Sequence, residues 1–253
     1  MTETGILALA ACALTCVGLL AWRPIRGPAP SLRMLALRLL PVAVIATALV
    51  TLSAWKLSKA RTVQFLGHIV PRVETDHRVV ALTFDDGPSA QFTEEVLHML
   101  SEQDVKATFF VTGKGLARNP EAGRQIVEQG HELGNHTYRH KRMVFKPIDF
   151  IETEIEETDH LIRKAGYQGD IHFRAPGGKK LIALPYYLWQ TRRTSISWDV
   201  APEGYSGSPD DPERITSEIL ARTGPGSIIL LHVMAKSRAS SREALPAVIN
   251  GLK

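Results

Sequence analysis

An apolar run, Val79 to Phe84, ends in two adjacent aspartates, Asp85 and Asp86, followed by Gly87-Pro88. Two carboxylates side by side repel, and neither belongs in an apolar core. Within a strand they would also project to opposite faces. A plain turn accounts for Asp, Gly and Pro in this order. A second reading places both carboxylates just beyond the strand end, in a turn made by Gly87-Pro88. One then binds a cation and the other acts as a base, and the cation offsets their repulsion. Downstream, in "GNHTYRH", His136 and His140 stand four residues apart. On a helical turn both rings point the same way, as a metal site needs. Two histidines and one aspartate form a facial set for a divalent cation, with positions open to water and substrate. His131, five residues before His136, is set aside, because that spacing is about 140° round a helix. The glycosylation pattern Asn135-His136-Thr137 is discounted because it overlaps a candidate ligand.

These residues need elements to position them, and after residue 77 apolar strand patterns alternate with helical ones. Strands are expected at 79–84, 105–113, 171–176, 194–200 and 226–233. Helices are expected at 91–100, 121–129, 148–165, 181–190, 211–222 and 241–252. The helix at 148–165 is acidic at its start and basic at its end, as the helix dipole favours. Strand–helix alternation implies a parallel sheet covered by helices. Five or six units in this length fall short of the roughly 250 residues of a full eight-unit barrel. The expected fold is α/β, an incomplete or distorted (β/α) barrel. In such folds chemistry gathers where strands end. Arg174, Asp199 and His232 stand near strand ends, with Asp85 and Asp86.

The first third of the chain is different. Residues 5–22 and 39–55 carry no charge, and each approaches the ~20 residues that cross a bilayer. Two transmembrane helices are expected there, then a linker over 61–77 and a catalytic domain over 78–253. Up to residue 72 eight basic residues face one acid, a net charge of +7, while the whole chain carries +4. The basic character therefore belongs to the anchor, and nucleic acid is not an expected partner. Four arginines between the apolar runs mark that loop as cytoplasmic, which places the domain in the periplasm or outside the cell, on a bacterial inner membrane. A cleaved signal peptide lacks its basic start in "MTETG". "LAAC", Leu9 to Cys12, looks like a lipoprotein cleavage site after too short an apolar stretch. Cys12 and Cys16 are the only cysteines, so the domain holds no disulfide.

"TFDDGP", "HTYRH", "RAPGG" and "IILLH" occur in this order, and about residues 75–253 resemble the polysaccharide deacetylase family (NodB homology, carbohydrate esterase family 4). The resemblance implies a distorted (β/α) barrel and a metal-dependent hydrolase that removes N-acetyl groups from amino sugars. It implies Asp85 as general base, His232 as general acid and Arg174 as the arginine that orients the base. Asp86, His136 and His140 become ligands to one divalent ion, with zinc the leading choice. Gly177, beside Pro176, would donate its N–H to the oxyanion. Expected partners are an N-acetylated glycan of the cell envelope or an exported polysaccharide, and the membrane.

The chain departs from the family pattern in places. Thr137 replaces a serine, and Gly177 stands where an aromatic is common. Ala201, Gly204 and Tyr205 replace an Asp-x-x-Asp-Trp pattern. Tyr205 remains a candidate substrate contact, and Asp199 or Glu203 a candidate support for His232. "LPYYLWQ", Leu184 to Gln190, reads as core or as a sugar-stacking surface. Lys179 and Lys180 read as solvated surface or as a phosphate contact. Alternatives are a deacetylase or deformylase of a lipid-linked amino sugar and a non-catalytic glycan-binding relative.

Overall fold

The computed structural model describes residues 31–202 and 211–253. The expected span at 5–22, and with it Cys12 and Cys16, lies outside the described residues, as do Glu203, Gly204 and Tyr205. The chain divides into two units, Met1–Lys59 and Ala60–Lys253.

In the first unit, helix α1 (Leu32–Leu57) starts at Ser31, whose side chain accepts from the Met34 N–H. It extends the span expected at 39–55 by two turns at its start, which brings Arg33 and Arg38 onto the helix and Pro41 inside it. Its apolar side chains, Leu37, Leu40 and Val50 among them, are exposed. It is long and apolar enough to cross a membrane, the one such helix among the described residues. Of the two expected spans only the second falls among the described residues, and this helix is a candidate for it by length and composition. At its end Lys59 Nζ sits 3.1 Å from the centre of the Trp55 ring.

The second unit runs β1 (Ile69–Val70), β2 (Ala81–Asp85), α2 (Thr93–Glu102), β3 (Thr108–Val111), α3 (Gly113–Arg118), α4 (Pro120–Glu128), β4 (Glu132–Asn135), α5 (Ile148–Lys164), α6 (Ala183–Gln190), β5 (Ser195–Ile196), α7 (Pro212–Arg222), β6 (Ile228–His232) and α8 (Ala239–Leu252). Among the described residues the strands pair in parallel, in a four-stranded sheet of order β4-β3-β2-β6 and a two-stranded one, β1-β5. Single parallel bridges, Asn135 to Phe173, Phe173 to Ser195 and Val200 to Ile229, join the two sheets into a ring. The ring is a distorted (β/α) barrel, continuous on one side and stitched residue by residue on the other.

The strands expected at 171–176 and 194–200 therefore shrink to a bridge at Phe173, to β5 and to a bridge at Val200. Residues 61–77, expected as a linker, are folded onto this unit. They supply β1, and the Arg61 carbonyl accepts from Ser197 Oγ at 2.6 Å. The short strand β4 and helix α3 were not anticipated. Gly134 in β4 sits against the Phe110 ring, where a Cβ would meet ring atoms at 2.5 Å, so that strand position has room only for glycine.

Period-2 alternation sorts β2 between two environments. Leu82 and Phe84 join the main apolar core with Phe109, Val96, Leu97, Ile229 and Leu231, and the Phe84 and Phe109 rings lie 5.1 Å apart. Thr83 and Asp85 take the other face and are also buried. There the barrel holds the buried Arg174 guanidinium where barrels of this type hold branched apolar side chains.

Candidate active site

Asp85 ends β2, and its registered neighbour on β6 is His232. His136 follows β4, which ends at Asn135. Arg174 follows the bridge at Phe173. Four separate chain segments thus deliver their polar residues to one rim, at the C-terminal ends of the parallel strands.

Asp86 answers the problem of two carboxylates on opposite faces. Its φ of 71° is left-handed, and Gly87 follows at 74° with a cis peptide to Pro88. The chain turns within the aspartate pair, and Asp86 reaches the rim beside Asp85. Asp86, His136 and His140 each offer a ligand atom, all within 4.8 Å of one another. Asp86 Oδ1 lies 3.4 Å from His140 Nε2, and both side chains are half-exposed. His136 is buried and its Nε2 has no hydrogen-bond partner. Its Nδ1 lies 2.8 Å from the Arg174 carbonyl. That oxygen only accepts, so the proton sits on Nδ1 and the Nε2 lone pair faces the other two groups. A buried, unpartnered imidazole nitrogen grouped with a carboxylate and a second imidazole fits a divalent cation of the zinc kind.

The two histidines are four apart but not on a helix. Thr137 and His140 have φ of 67° and 55°, and the rings come to 4.9 Å through a tight loop. Each left-handed non-glycine residue costs about 1–2 kcal/mol, so the loop needs fastening. The Thr137 N–H donates to Asn135 Oδ1 at 2.8 Å, and the His140 N–H to Thr137 Oγ1 at 3.1 Å. The Thr137 and Tyr138 carbonyls accept from the Gly113 and Lys114 N–H groups at the start of α3. Asn135 is itself buried and donates to the Ile155 carbonyl and to Asp159. That burial excludes it as a glycosylation acceptor in the folded chain.

Asp85 and Arg174 form a buried ion pair, Nη1 to Oδ1 at 2.7 Å. The same nitrogen donates to Thr83 Oγ1 at 2.8 Å. Nη2 donates to the Ser197 carbonyl at 3.0 Å and Nε to that of Ile196 at 3.3 Å. The guanidinium lies 4.0 Å from the centre of the Phe110 ring, a cation–π contact. Burial alone would raise the Asp85 carboxyl, but Arg174, helped by His136 and His232, outweighs it and holds the group below its ordinary value. Burial pushes His136 down, against the pull of Asp85 and Asp86. Asp85 is therefore ionised. One oxygen is held by Arg174, and Oδ2 lies 3.6 Å from His136 Nε2.

Pro176 and Gly177 form a short 3-10 turn with Gly178, starting two residues after Arg174. Gly177 has a φ of 57°, and a Cβ there would meet only the Lys179 side chain, at 3.9 Å, so the wall an aromatic would make is absent. Asp199 is not brought to His232. Its Oδ1 accepts from the Ile228 N–H at 2.8 Å, and its Oδ2 from Ser227 and Arg72. Ile228 starts β6 and His232 ends it, about 13 Å apart by strand rise. Lys180 is buried and donates to the Ala60 carbonyl, so it is not the solvated residue expected. In α6, Leu184, Tyr187 and Leu188 are core, and Tyr186 and Trp189 are exposed.

Residues 72–191 match the model of the polysaccharide deacetylase family. A chitooligosaccharide deacetylase of Sinorhizobium fredii is 36% identical over 190 residues, 72% of this chain and 87% of the relative. A peptidoglycan-N-acetylglucosamine deacetylase of Bacillus cereus is 34% identical over 176 residues, 69% of this chain and 63% of that one. Among solved structures, the Bc1960 peptidoglycan N-acetylglucosamine deacetylase superposes with a TM-score of 0.68 at 29% identity, over 73% of this chain and 86% of that one. A CE4 family pseudoenzyme from Bacillus anthracis superposes with a TM-score of 0.63 at 26% identity, over 73% and 63%. By this likeness the chain belongs to the polysaccharide deacetylase family and is a hydrolase of carbon–nitrogen bonds other than peptide bonds.

Proposed function

We propose that this protein removes N-acetyl groups from amino sugars of a cell-envelope or exported glycan, and that it does so with a divalent cation held by Asp86, His136 and His140. The observation that carries the reading is an ionised Asp85, fixed by Arg174, next to the unpartnered Nε2 of His136 and its two companion ligands. The cation, zinc by its donor set, supplies a Lewis acid that polarises the acetyl carbonyl and acidifies water.

The chain's own groups do the rest. Asp85 accepts the proton of the attacking water through Oδ2, because Oδ1 is engaged by Arg174. The new bond joins water oxygen to the acetyl carbon. To the Gly177 N–H we assign the hydrogen bond to the oxygen that gains charge. His232, on the strand next to Asp85, gives a proton to the sugar nitrogen as the carbon–nitrogen bond breaks. Acetate and a free amino sugar leave. With Asp199 committed elsewhere, His232 acts without that carboxylate beside it.

Helix α1 serves as a membrane anchor in this reading, with the domain facing outward because the arginines precede the helix. The test is acetate release by the full chain, stripped of metal and reloaded with zinc or cobalt. Substrates are acetylglucosamine oligomers, peptidoglycan and a lipid-linked acetylamino sugar. Metal-dependent release establishes the reading. Metal binding with no release from any of the three removes it in favour of a binding role.

A further inference from the structure

Glu154 lies in the middle of α5, where its neighbours Ile151, Ile155, Thr158 and Ile162 are all buried. Its own side chain is fully buried as well. An apolar residue would satisfy the packing on this face, and a buried carboxylate persists only where it is paired and hydrogen-bonded. Glu154 is both. Oε2 accepts from the backbone N–H of Arg139 at 2.7 Å, and Oε1 from Arg139 Nη1 at 2.5 Å. Arg139 is the residue immediately before His140. Three backbone N–H groups in the loop after His136, those of Thr137, Arg139 and His140, are taken by side-chain oxygens. Two of those oxygens belong to the loop or its strand, on Asn135 and Thr137. Of the three oxygens, only that of Glu154 comes from a separate element, and it joins the tie that the Thr137 and Tyr138 carbonyls make to the start of α3.

We propose that Glu154 is a positioning residue for the metal centre: by gripping the Arg139 backbone from α5, it sets where His140 stands relative to His136 and Asp86. The inference rests on the reading of those three residues as a metal site. Removing it leaves two left-handed residues, Thr137 and His140, fastened only from within the loop and by the start of α3. Outer-shell partners of metal ligands typically change affinity by about 10–100-fold when lost, and that range is expected here.

The experiment titrates cobalt and zinc into the metal-free full chain against a chelating dye, and records the visible spectrum of the cobalt form. Glu154→Gln keeps the shape and one acceptor but turns an amide NH₂ towards the guanidinium. It is expected to bind about 10- to 100-fold more weakly and to shift the cobalt bands. Glu154→Asp retains the charge but falls short of the Arg139 N–H, and a smaller loss is expected. Ile151→Val, on the same helix face, controls for loosened packing and is expected to bind within about two-fold of the parent. If the parent binds cobalt and both Glu154 variants match it in affinity and spectrum, the role of Glu154 is overturned and the metal site stands. If Ile151→Val weakens binding as much as Glu154→Gln, packing explains the effect and the role is again overturned. If the parent does not bind cobalt, the metal reading fails and this inference with it.

Discussion

Two aspartate–arginine pairs sit at opposite ends of the same parallel strands. Asp85 and Arg174 meet at the C-terminal rim, fully buried. Asp199 and Arg72 meet near the start of β6, at 3.1 Å and partly exposed. In the second pair both carboxylate oxygens are occupied, by the Ile228 N–H, the Ser227 hydroxyl and the guanidinium. In the first, Arg174 holds Oδ1, and Oδ2 faces His136 Nε2 beyond hydrogen-bonding distance. The same two residue types thus make a brace at one end and a poised base at the other. What separates them is whether an oxygen is left over.

That contrast can be broken most directly at Asp85. In Asp85→Asn, acetate release is expected to fall by about 10²–10⁴-fold, the range of a general base, while cobalt binding persists. A variant within ten-fold of the parent would show that Oδ2 is not the base. Arg174→Met leaves the Asp85 charge buried without its partner. A loss of about 3–5 kcal/mol is expected in denaturant unfolding, against no more than about 1 kcal/mol for Arg72→Met at the partly exposed pair. Equal losses would erase the distinction between the ends.

The N-terminal end is also where pH should act through stability alone. His131 precedes β4 there. Its Nδ1 accepts from the Ala107 N–H at 3.2 Å. Burial, with Lys106 adding, pushes its pKa down to about 4. The unfolded chain takes up this proton near 6.5, and the folded chain only near 4. The stability it contributes is therefore fully present above pH 6.5 and is lost as pH falls towards 4, by at most about 3 kcal/mol. His131→Gln retains an acceptor and does not titrate, so its unfolding midpoint should drop less than the parent's between pH 7 and pH 4.5. An identical drop would remove His131 as the cause. The smallest effect is expected for Asp199→Asn, on the order of 1 kcal/mol of stability with turnover within two-fold. A large loss of turnover would return Asp199 to the site.

The residues that converge on the rim were legible because their types are informative where strands end. Asp85, Asp86, Arg174 and His232 each follow an apolar run, and the residues between and around them turn the chain. The helical turn expected for His136 and His140 gave way to a left-handed loop, because their spacing alone carries no backbone sign. Asn135, Glu154 and Thr83 were not legible. Their partners lie 20, 15 and 91 residues away along the chain, and a Glu within a helix reads as a solvated charge until its face is known. Asp199 follows β5, at the end of the run where it was expected, but its partners lie at the start of β6. A strand two residues long with a bridge further on marks neither end clearly in sequence. The chain over 61–77 looked like linker because a two-residue strand has too little pattern to show.

The ring of strands is thinnest where single bridges replace ladders, at Phe173, Ser195 and Val200. Arg174 stands at that seam and reaches across the interior, from the carbonyls of Ile196 and Ser197 to Thr83 and Asp85 on the far wall. In mechanical terms it is a spoke as well as a clamp on the base. Its replacement would slacken the wheel at the same moment it frees the carboxylate. Activity lost on replacing this arginine therefore reports on the barrel as much as on the base.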